Sequence, residues 1–381
     1  MGLSPTTHHG RVHQVPAGET ETDIDAAVHL RVERVLAHYL AQRRAELPEL
    51  AQTFAAAVDT LSAFALGGGK RIRPSFAWWG WRAAGGEATG PRADAVLTAI
   101  SSLELVQTCA LVHDDLMDAS EVRRGKPTVH VRFTDAHRAG AWAGEPERFG
   151  MAAAILLGDL ALAWADDMFA AAALSPEMRT AARLPYQAMR AEMFAGQYLD
   201  VLAQAEADES EERALGVARL KTAAYTVERP LHMGVALAGA DEETVAAVRA
   251  FGVDIGVAFQ LRDDLLGVYG DPSVTGKPAG DDLREGKQTL LVALGVKYAA
   301  RAGRRKDVEL LRGALGDPHL RPGTIEKVRA MLTDVGAVAE LERRIDELRA
   351  SGLAALATAR LGEPGVSRLT ELAIAATRRD R

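Results

Sequence analysis

The chain reads as an all-α protein, and three observations carry that reading. Alanine is very frequent and leucine, arginine and glutamate are common, a mix that favours helix. Apolar residues recur at spacings of three and four over most of the length, while convincing strand alternation is absent. The breaks between periodic stretches are short and rich in Gly and Pro, as in SPEM and GDPHLRPG. With no fixed-period repeat and no dividing linker, residues 23–381 read as one large helical domain.

Residues 1–22 hold Pro, Gly, Thr and His without periodicity and read as a disordered tail. Its His8, His9 and His13 belong to that tail rather than to a metal site, and the Met-Gly start with Thr6 matches a short acylation pattern only formally. In DIDAAVHLRVERVLAHYL the apolar positions Ile24, Val28, Leu30, Val35 and Leu36 predict the first helix. Further helices are expected near 46–65, 91–118, 150–173, 177–204, 211–238, 242–268, 287–299, 306–315, 324–333, 335–360 and 366–379. Two longer loops, 119–149 and 270–286, have the length of binding loops. Trp78, Trp79 and Trp81 read as core or dimer packing, and Asp166-Asp167 as a solvated face.

The totals exclude several classes. A formal net charge of −7 argues against a nucleic-acid partner. A single cysteine, Cys109, rules out an internal disulfide and suits a reducing cytoplasm. No charge-free apolar run of about 18 residues appears, so no transmembrane segment is expected, and the first residues lack the apolar core of a secretion signal.

Chemistry concentrates in a few stretches. In DDLMD, Asp114 and Asp118 are four apart and share a helical face, with Asp115 flanking it and Leu111, Ala110 and Gln107 continuing the stripe. Like-charged carboxylates this close repel, and Mg²⁺ removes that repulsion while taking its other ligands from phosphate and water. FQLRDD repeats the theme with Asp263 and Asp264, and Gln260 lies on their face. The position corresponding to Asp118 is Gly267. Gln197 and Asp200 of GQYLD could complete an acidic ring.

The basic residues form a second set. GGGKRIRP places three glycines before Lys70, Arg71 and Arg73, allowing close backbone approach to an anion, although the Walker spacing is absent. Arg123 and Arg124 follow the first acidic cluster. Lys221 and Thr222 lie within an apolar helical stretch, and Lys277 and Lys287 lie in or after the second long loop. The inventory suits two polyanions, one held through metal and one directly, with an apolar space for a hydrocarbon on one of them.

From about residue 25 to the end, these residues resemble the trans-isoprenyl diphosphate (polyprenyl) synthase family, most closely its short-chain geranylgeranyl diphosphate synthases. Six motifs stand in the family order: GGGKRIRP, DDLMD with RRG, GQYLD, KT, FQLRDD with GDPSVTGKP, and DDLREGKQT. The resemblance implies a single large helical bundle around a central cavity, a homodimer, and head-to-tail condensation of isopentenyl diphosphate with a dimethylallyl, geranyl or farnesyl diphosphate. It implies three Mg²⁺ ions per active site, held by Asp114, Asp118, Asp263 and Asp200, with Asp115 and Asp264 supporting and Asp282 acting through water. Arg123, Lys221, Lys277 and Lys287 would hold the allylic diphosphate. Lys70, Arg73, Gln107 and Arg124 would hold isopentenyl diphosphate. Thr222, Gln197, Gln260 and Phe259 would line the place where the allylic cation forms.

Two departures stand out: Gly267 replaces the third carboxylate of the second motif, and Gln107 stands where many members have histidine. In the family, bulky aromatics four and five residues before the first cluster stop growth at C15. Here these positions are Ala110 and Cys109, with Val106 a turn further. Their small size implies growth past C15, to geranylgeranyl diphosphate (C20), with C15 or C25 and longer as alternatives. A class I terpene cyclase would need no second diphosphate site such as GGGKRIRP. A regulatory subunit could lose metal ligands that this chain keeps.

Overall fold

The computed structural model describes residues 24–271 and 280–378. The tail expected at 1–22, Lys277, Arg379 and Arg381 lie outside the described residues. The fold is all-α. Helices α1 (Val28–Ala45), α2 (Ala55–Leu66), α3 (Ile72–Ala83) and α4 (Pro91–Met117) lead into a two-residue-strand hairpin, Val122–Arg123 paired with Lys126–Pro127. Then come α5 (Val129–Ala139), α6 (Pro146–Ala171), α7 (Pro176–Glu206) and α8 (Glu211–Val217). A π-helical segment, Ala218–Glu228, joins α8 to α9 (Arg229–Ala238), and α10 (Glu242–Tyr269) follows. The chain ends with α11 (Asp281–Arg284), α12 (Leu290–Arg301), α13 (Arg305–Ala314), α14 (Pro322–Asp334), α15 (Ala337–Thr358) and α16 (Gly365–Thr377).

The long helices start where their sequences dictate. Ser175 Oγ accepts from the Met178 amide at 3.2 Å and Pro176 opens α7. Asp241 caps α10 by accepting from the Thr244 amide at 2.8 Å, with Glu242 and Glu243 complementing the helix dipole. α10 then joins the two halves of the core. Its Val248, Phe251 and Ile255 belong to one core cluster with residues of α1, α3, α4, α6, α7 and α9, while Val257, Leu261, Leu265 and Val268 belong to a second with residues of α12 to α15. α4 lies along α6 but barely touches α7, which leaves room between them.

Four expectations need correction. The segment after GGGK is helical (α3), because Phe76, Trp78 and Trp81 bury completely and give it a core face. The 119–149 loop contains α5 and the hairpin. Residues 211–238 are not one α-helix, since Ala218–Glu228 is π-helical. Asp166 is half exposed but pairs with Arg190 and accepts from the Tyr186 hydroxyl at 3.0 Å, so that face is not merely solvated. The tryptophan group is core: Trp78 and Trp81 are fully buried, and Trp78 Nε1 donates to Asp25 at 2.8 Å.

By length and composition, α4, α6 and α10 could each cross a membrane. The sequence reading demanded a charge-free run and so passed over them. In the fold, 78% of the apolar window of α4 is buried, against 39% for α6. α6 and α7 present exposed apolar side chains together, among them Ile155, Leu156, Leu184, Phe194 and Tyr198.

Candidate active site

A cavity of about 1050 Å³ opens between the end of α4, α7, the π segment and the end of α10. Most of the residues singled out in the sequence converge on it. Gln107, Ala110 and Asp114 reach it from α4, Gln197 and Asp200 from α7, Lys221 and Thr222 from the π segment, and Phe259, Gln260, Asp263 and Asp264 from α10. The loop before α3 and the start of α3 bring Lys70 and Arg73, the hairpin brings Arg123 and Arg124, and α11 with the segment after it brings Asp282 and Lys287. Asp115, Val106 and Cys109 are buried behind the wall.

The π segment carrying Lys221 is clasped from both sides by glycines. A Cβ on Gly196 of α7 would lie 2.1 Å from the Lys221 amide nitrogen, and one on Gly256 of α10 would lie 2.6 Å from Ala223 Cα. Only a residue without a Cβ allows such approach. The far end of the segment is pinned by Glu228, a fully buried carboxylate that meets Arg219 at 2.6 Å and Arg249 at 2.9 Å. A buried charge needs such partners.

At the mouth, acids and bases are one another's counter-ions. Lys221 Nζ lies 2.8 Å from Asp114 and 2.5 Å from Asp200, linking α4 to α7. Lys287 Nζ lies 2.5 Å from Glu285, 3.1 Å from Asp118 and 3.8 Å from Asp282. Arg123 Nε donates to Asp115 at 2.6 Å and Nη2 to Asp114 at 3.3 Å. Asp115 therefore orients Arg123 from behind. Burial alone would raise the Asp114 carboxyl, but Lys221, Lys287 and Arg123 hold it well below the usual carboxylate range. Burial outweighs Lys287 at Asp118 and pushes it up to about 6. Asp264 is pushed up to about 8 by burial, with Asp282 and Asp263 adding to the rise and the Gln260 amide, donating at 2.6 Å, opposing it.

The basic rim is built differently. Arg71 takes left-handed backbone (φ 48°) and turns inward, donating to Glu104 at 2.8 Å and to the Ala65 carbonyl at 3.0 Å. Arg73 donates to Thr226 at 2.8 Å and lies 3.9 Å from the Tyr225 ring centroid, so the π segment aims it as well. Arg124 donates to the Gly68 carbonyl. Its pKa is lowered by burial first and then by Arg123 and Arg71, as in a cation cluster suited to an anion. Sequence reasoning named Arg71 but missed its pairing with Glu104, and it missed Tyr225, Thr226 and Glu285, of which Glu285 sits inside the motif DDLREGKQT.

Cys109 is fully buried and its thiol is pushed up to about 12, by burial and then by Asp159, which makes it a core residue and no nucleophile. His113 Nε2 contacts the Ile155 carbonyl at 3.3 Å, a local role. Among the described residues no three carboxylate, His or Cys groups gather into a closed metal cage. The donors that face the cavity are carboxylate oxygens supplied one or two per helix. That set fits Mg²⁺, which keeps waters and substrate phosphate oxygens as its remaining ligands.

Fold and site together define a helical protein whose cavity sets carboxylates, lysines and arginines beside apolar side chains, a donor set suited to phosphate groups with divalent cations. The polyprenyl synthetase family profile matches residues 55–327. A geranylfarnesyl diphosphate synthase of Aeropyrum pernix is 36% identical over 283 residues, covering 73% of this chain and 79% of that one. A (2E,6E)-farnesyl diphosphate synthase of Mycobacterium bovis is 39% identical over 237 residues, 62% of this chain and 59% of that one. The structure of a geranylgeranyl pyrophosphate synthase from Corynebacterium glutamicum, complexed with isoprenyl diphosphate and magnesium, superposes with a TM-score of 0.89 at 42% identity, covering 94% and 99% of the two chains. The chain belongs to the polyprenyl synthetase family and is a polyprenyl diphosphate synthase.

The raised Asp264 sets a pH dependence. Its folded pKa of about 8 lies above the ordinary 3.8, so its contribution to stability is full below about pH 4 and is lost as pH rises through 8. In chelator-containing buffer the melting temperature should fall between pH 6 and 9, and Asp264→Asn should flatten that fall and melt higher than wild type at pH 8. Identical slopes in thermal scans of the two proteins would show that burial does not raise this carboxyl.

Proposed function

We propose that the enzyme condenses an allylic diphosphate head-to-tail with isopentenyl diphosphate and releases mainly the C20 product, geranylgeranyl diphosphate. One observation carries this: one cavity is lined by two groups of cations, Lys70, Arg73 and Arg124 near the start of α3 and Arg123, Lys221 and Lys287 beside the carboxylates Asp114, Asp200 and Asp263, together with the apolar Ala110, Leu111, Met193 and Phe259. A single diphosphate would need only one set.

In this reading Asp114, Asp118, Asp200 and Asp263, with Asp264 supporting, hold three Mg²⁺ ions beside the allylic diphosphate. When bound, the metal neutralises charge that develops on the leaving diphosphate. Arg123, Lys221, Lys277 and Lys287 bind the same group directly and add to that stabilisation. Lys70, Arg73, Gln107 and Arg124 bind the diphosphate of isopentenyl diphosphate and orient its double bond toward C1 of the allylic partner. Thr222, Gln197 and Gln260 present oxygen dipoles to the developing allylic cation, and Phe259 walls the space. Carbon–carbon bond formation is followed by loss of a proton, which the departing diphosphate can accept. Substrate seated against Ala110, Leu111, Met193 and Phe259 would displace water that could trap the cation.

The hydrocarbon extends past Ala110, the small cavity-lining residue one helical turn before Asp114, toward Met193 on α7. Val106 and Cys109 pack behind that position and set how far the wall can yield. The buried, protonated thiol suits a reducing cytoplasm. A second copy would cover the exposed apolar face of α6 and α7, giving a homodimer. A measured solution mass of one chain in sedimentation would remove that part of the reading.

Mass analysis of products from isopentenyl diphosphate, Mg²⁺ and each of the C5, C10 and C15 primers tests the whole. The expected main product is C20 from every primer used. Ala110→Phe should shift it to C15 with turnover retained. No consumption of isopentenyl diphosphate would overturn the activity, and an unchanged product with Ala110→Phe would overturn the assignment of the cavity wall.

A further inference from the structure

The turn that leads into α3 is held in an unusual backbone. Gly68 and Gly69 have φ of 100° and 124°, which glycine takes freely, but Arg71 has φ 48° and carries a long side chain. Left-handed backbone at such a residue is strained and persists only where its surroundings enforce it. The enforcement comes from two sides. The Arg71 carbonyl accepts from the Ser75 amide at 3.0 Å and from Ser75 Oγ at 2.8 Å. The Arg71 guanidinium is drawn into the protein, where Nη1 donates to Glu104 at 2.8 Å and to the Ala65 carbonyl at 3.0 Å. The two side chains are only 3% and 4% exposed. Arg71 Nε and Nη2 have no hydrogen-bond partner among the described residues, so the Glu104 charge is the main reason the guanidinium stays inside.

Three cations depend on that turn. Lys70 and Arg73 flank Arg71 and line the cavity. Arg124 Nη1 donates to the Gly68 carbonyl, and a Cβ on Gly69 would lie 3.2 Å from Arg124 Nη2. Glu104 is also within reach of this group: burial first, then Arg123 and Arg71, lower the Arg124 pKa, and Glu104 opposes them. On α4 Glu104 stands three residues before Gln107, and both line the cavity.

We propose that Glu104 is a positioning residue for the isopentenyl diphosphate site: it holds Arg71 inward, and Arg71 holds the left-handed turn that presents Lys70, Arg73 and Arg124 together. This rests on the reading of that cation group as a diphosphate site, and it gives Arg71 a backbone role instead of a phosphate contact. Without the Glu104 charge the guanidinium leaves the core, the turn relaxes and the three cations separate. The carboxylate side of the mouth, built on Asp114, Asp200 and Lys221, does not rest on this turn.

Calorimetric titration of single substrates tests this without turnover. Isopentenyl diphosphate in chelator-containing buffer reads the directly held site, and farnesyl diphosphate in saturating Mg²⁺ reads the other. Glu104→Gln, which keeps the shape and removes the charge, should weaken isopentenyl diphosphate binding about tenfold or more. Farnesyl diphosphate affinity should stay within about twofold of wild type, as for a distant, independent site. The double variants E104Q/R71G and E104Q/R71A bury no lone charge, so they decide the matter if the single variant fails to fold. Glycine takes the left-handed turn unaided and alanine does not, so E104Q/R71G should bind isopentenyl diphosphate within a few-fold of wild type while E104Q/R71A stays about tenfold or more weaker. Equal weakness of the two double variants would overturn the proposal, as would a parallel loss of both affinities in Glu104→Gln, or a wild-type protein that binds no isopentenyl diphosphate. A protein that shows the expected pattern but makes no longer prenyl diphosphate would sink the synthase reading and leave the role of Glu104 standing.

Discussion

Everything at the mouth depends on one constraint: charges taken out of water must be matched. Lys221 stands between Asp114 of α4 and Asp200 of α7, and Lys287 among Asp118, Asp282 and Glu285. Carboxylates gathered this closely would repel one another without those ammonium groups, and the lysines would be costly to bury without the carboxylates. The backbone is bent to meet this requirement. The π segment brings Lys221 to the carboxylates, close glycine contacts with α7 and α10 hold it there, and Glu228 fastens its end. Ser120 of the first loop donates to Glu285 of the second, so the two loops that carry the cations are tied together.

The same balance explains how one site can hold substrates and metal. Lys221 is paired with Asp114 and Asp200; on the proposed function a diphosphate would give the lysine a new partner and leave the aspartate oxygens available to a divalent ion. The same cavity also presents the uncharged Ala110, Leu111, Met193 and Phe259. Relatives bearing C15 and C25 product names share the family with this chain, so family membership does not by itself fix product length. On the proposed function, depth in this chain would rest on the short stripe around Ala110 and on Met193, which line the same cavity, the unbranched methionine being able to adapt.

Helical periodicity and the i, i+4 rule made much of this legible in the sequence. The pairing of Gln260 with Asp264, the shared face of Asp114 and Ala110, and the starts of α7 and α10 at Ser175 and Asp241 are all local patterns. What stayed hidden depends on distant partners. Nothing near Lys221 announces a π-helix, because glycines on two other helices permit it. Arg71 reads as a phosphate ligand in its motif, yet it turns inward to Glu104, 33 residues away. Gly267 read as a lost carboxylate, whereas the structure places Asp282 in that volume. Asp166 looked solvated because Tyr186 and Arg190 come from the next helix.

The central claim is that the cations and carboxylates of the mouth exchange partners together. Calorimetric titration of Mg²⁺ into the protein, with and without inorganic diphosphate, measures this directly. The account predicts weak Mg²⁺ binding alone and a gain of about tenfold or more when diphosphate is present, a coupling of about 1.4 kcal/mol. Equal Mg²⁺ affinity in the two titrations would contradict it.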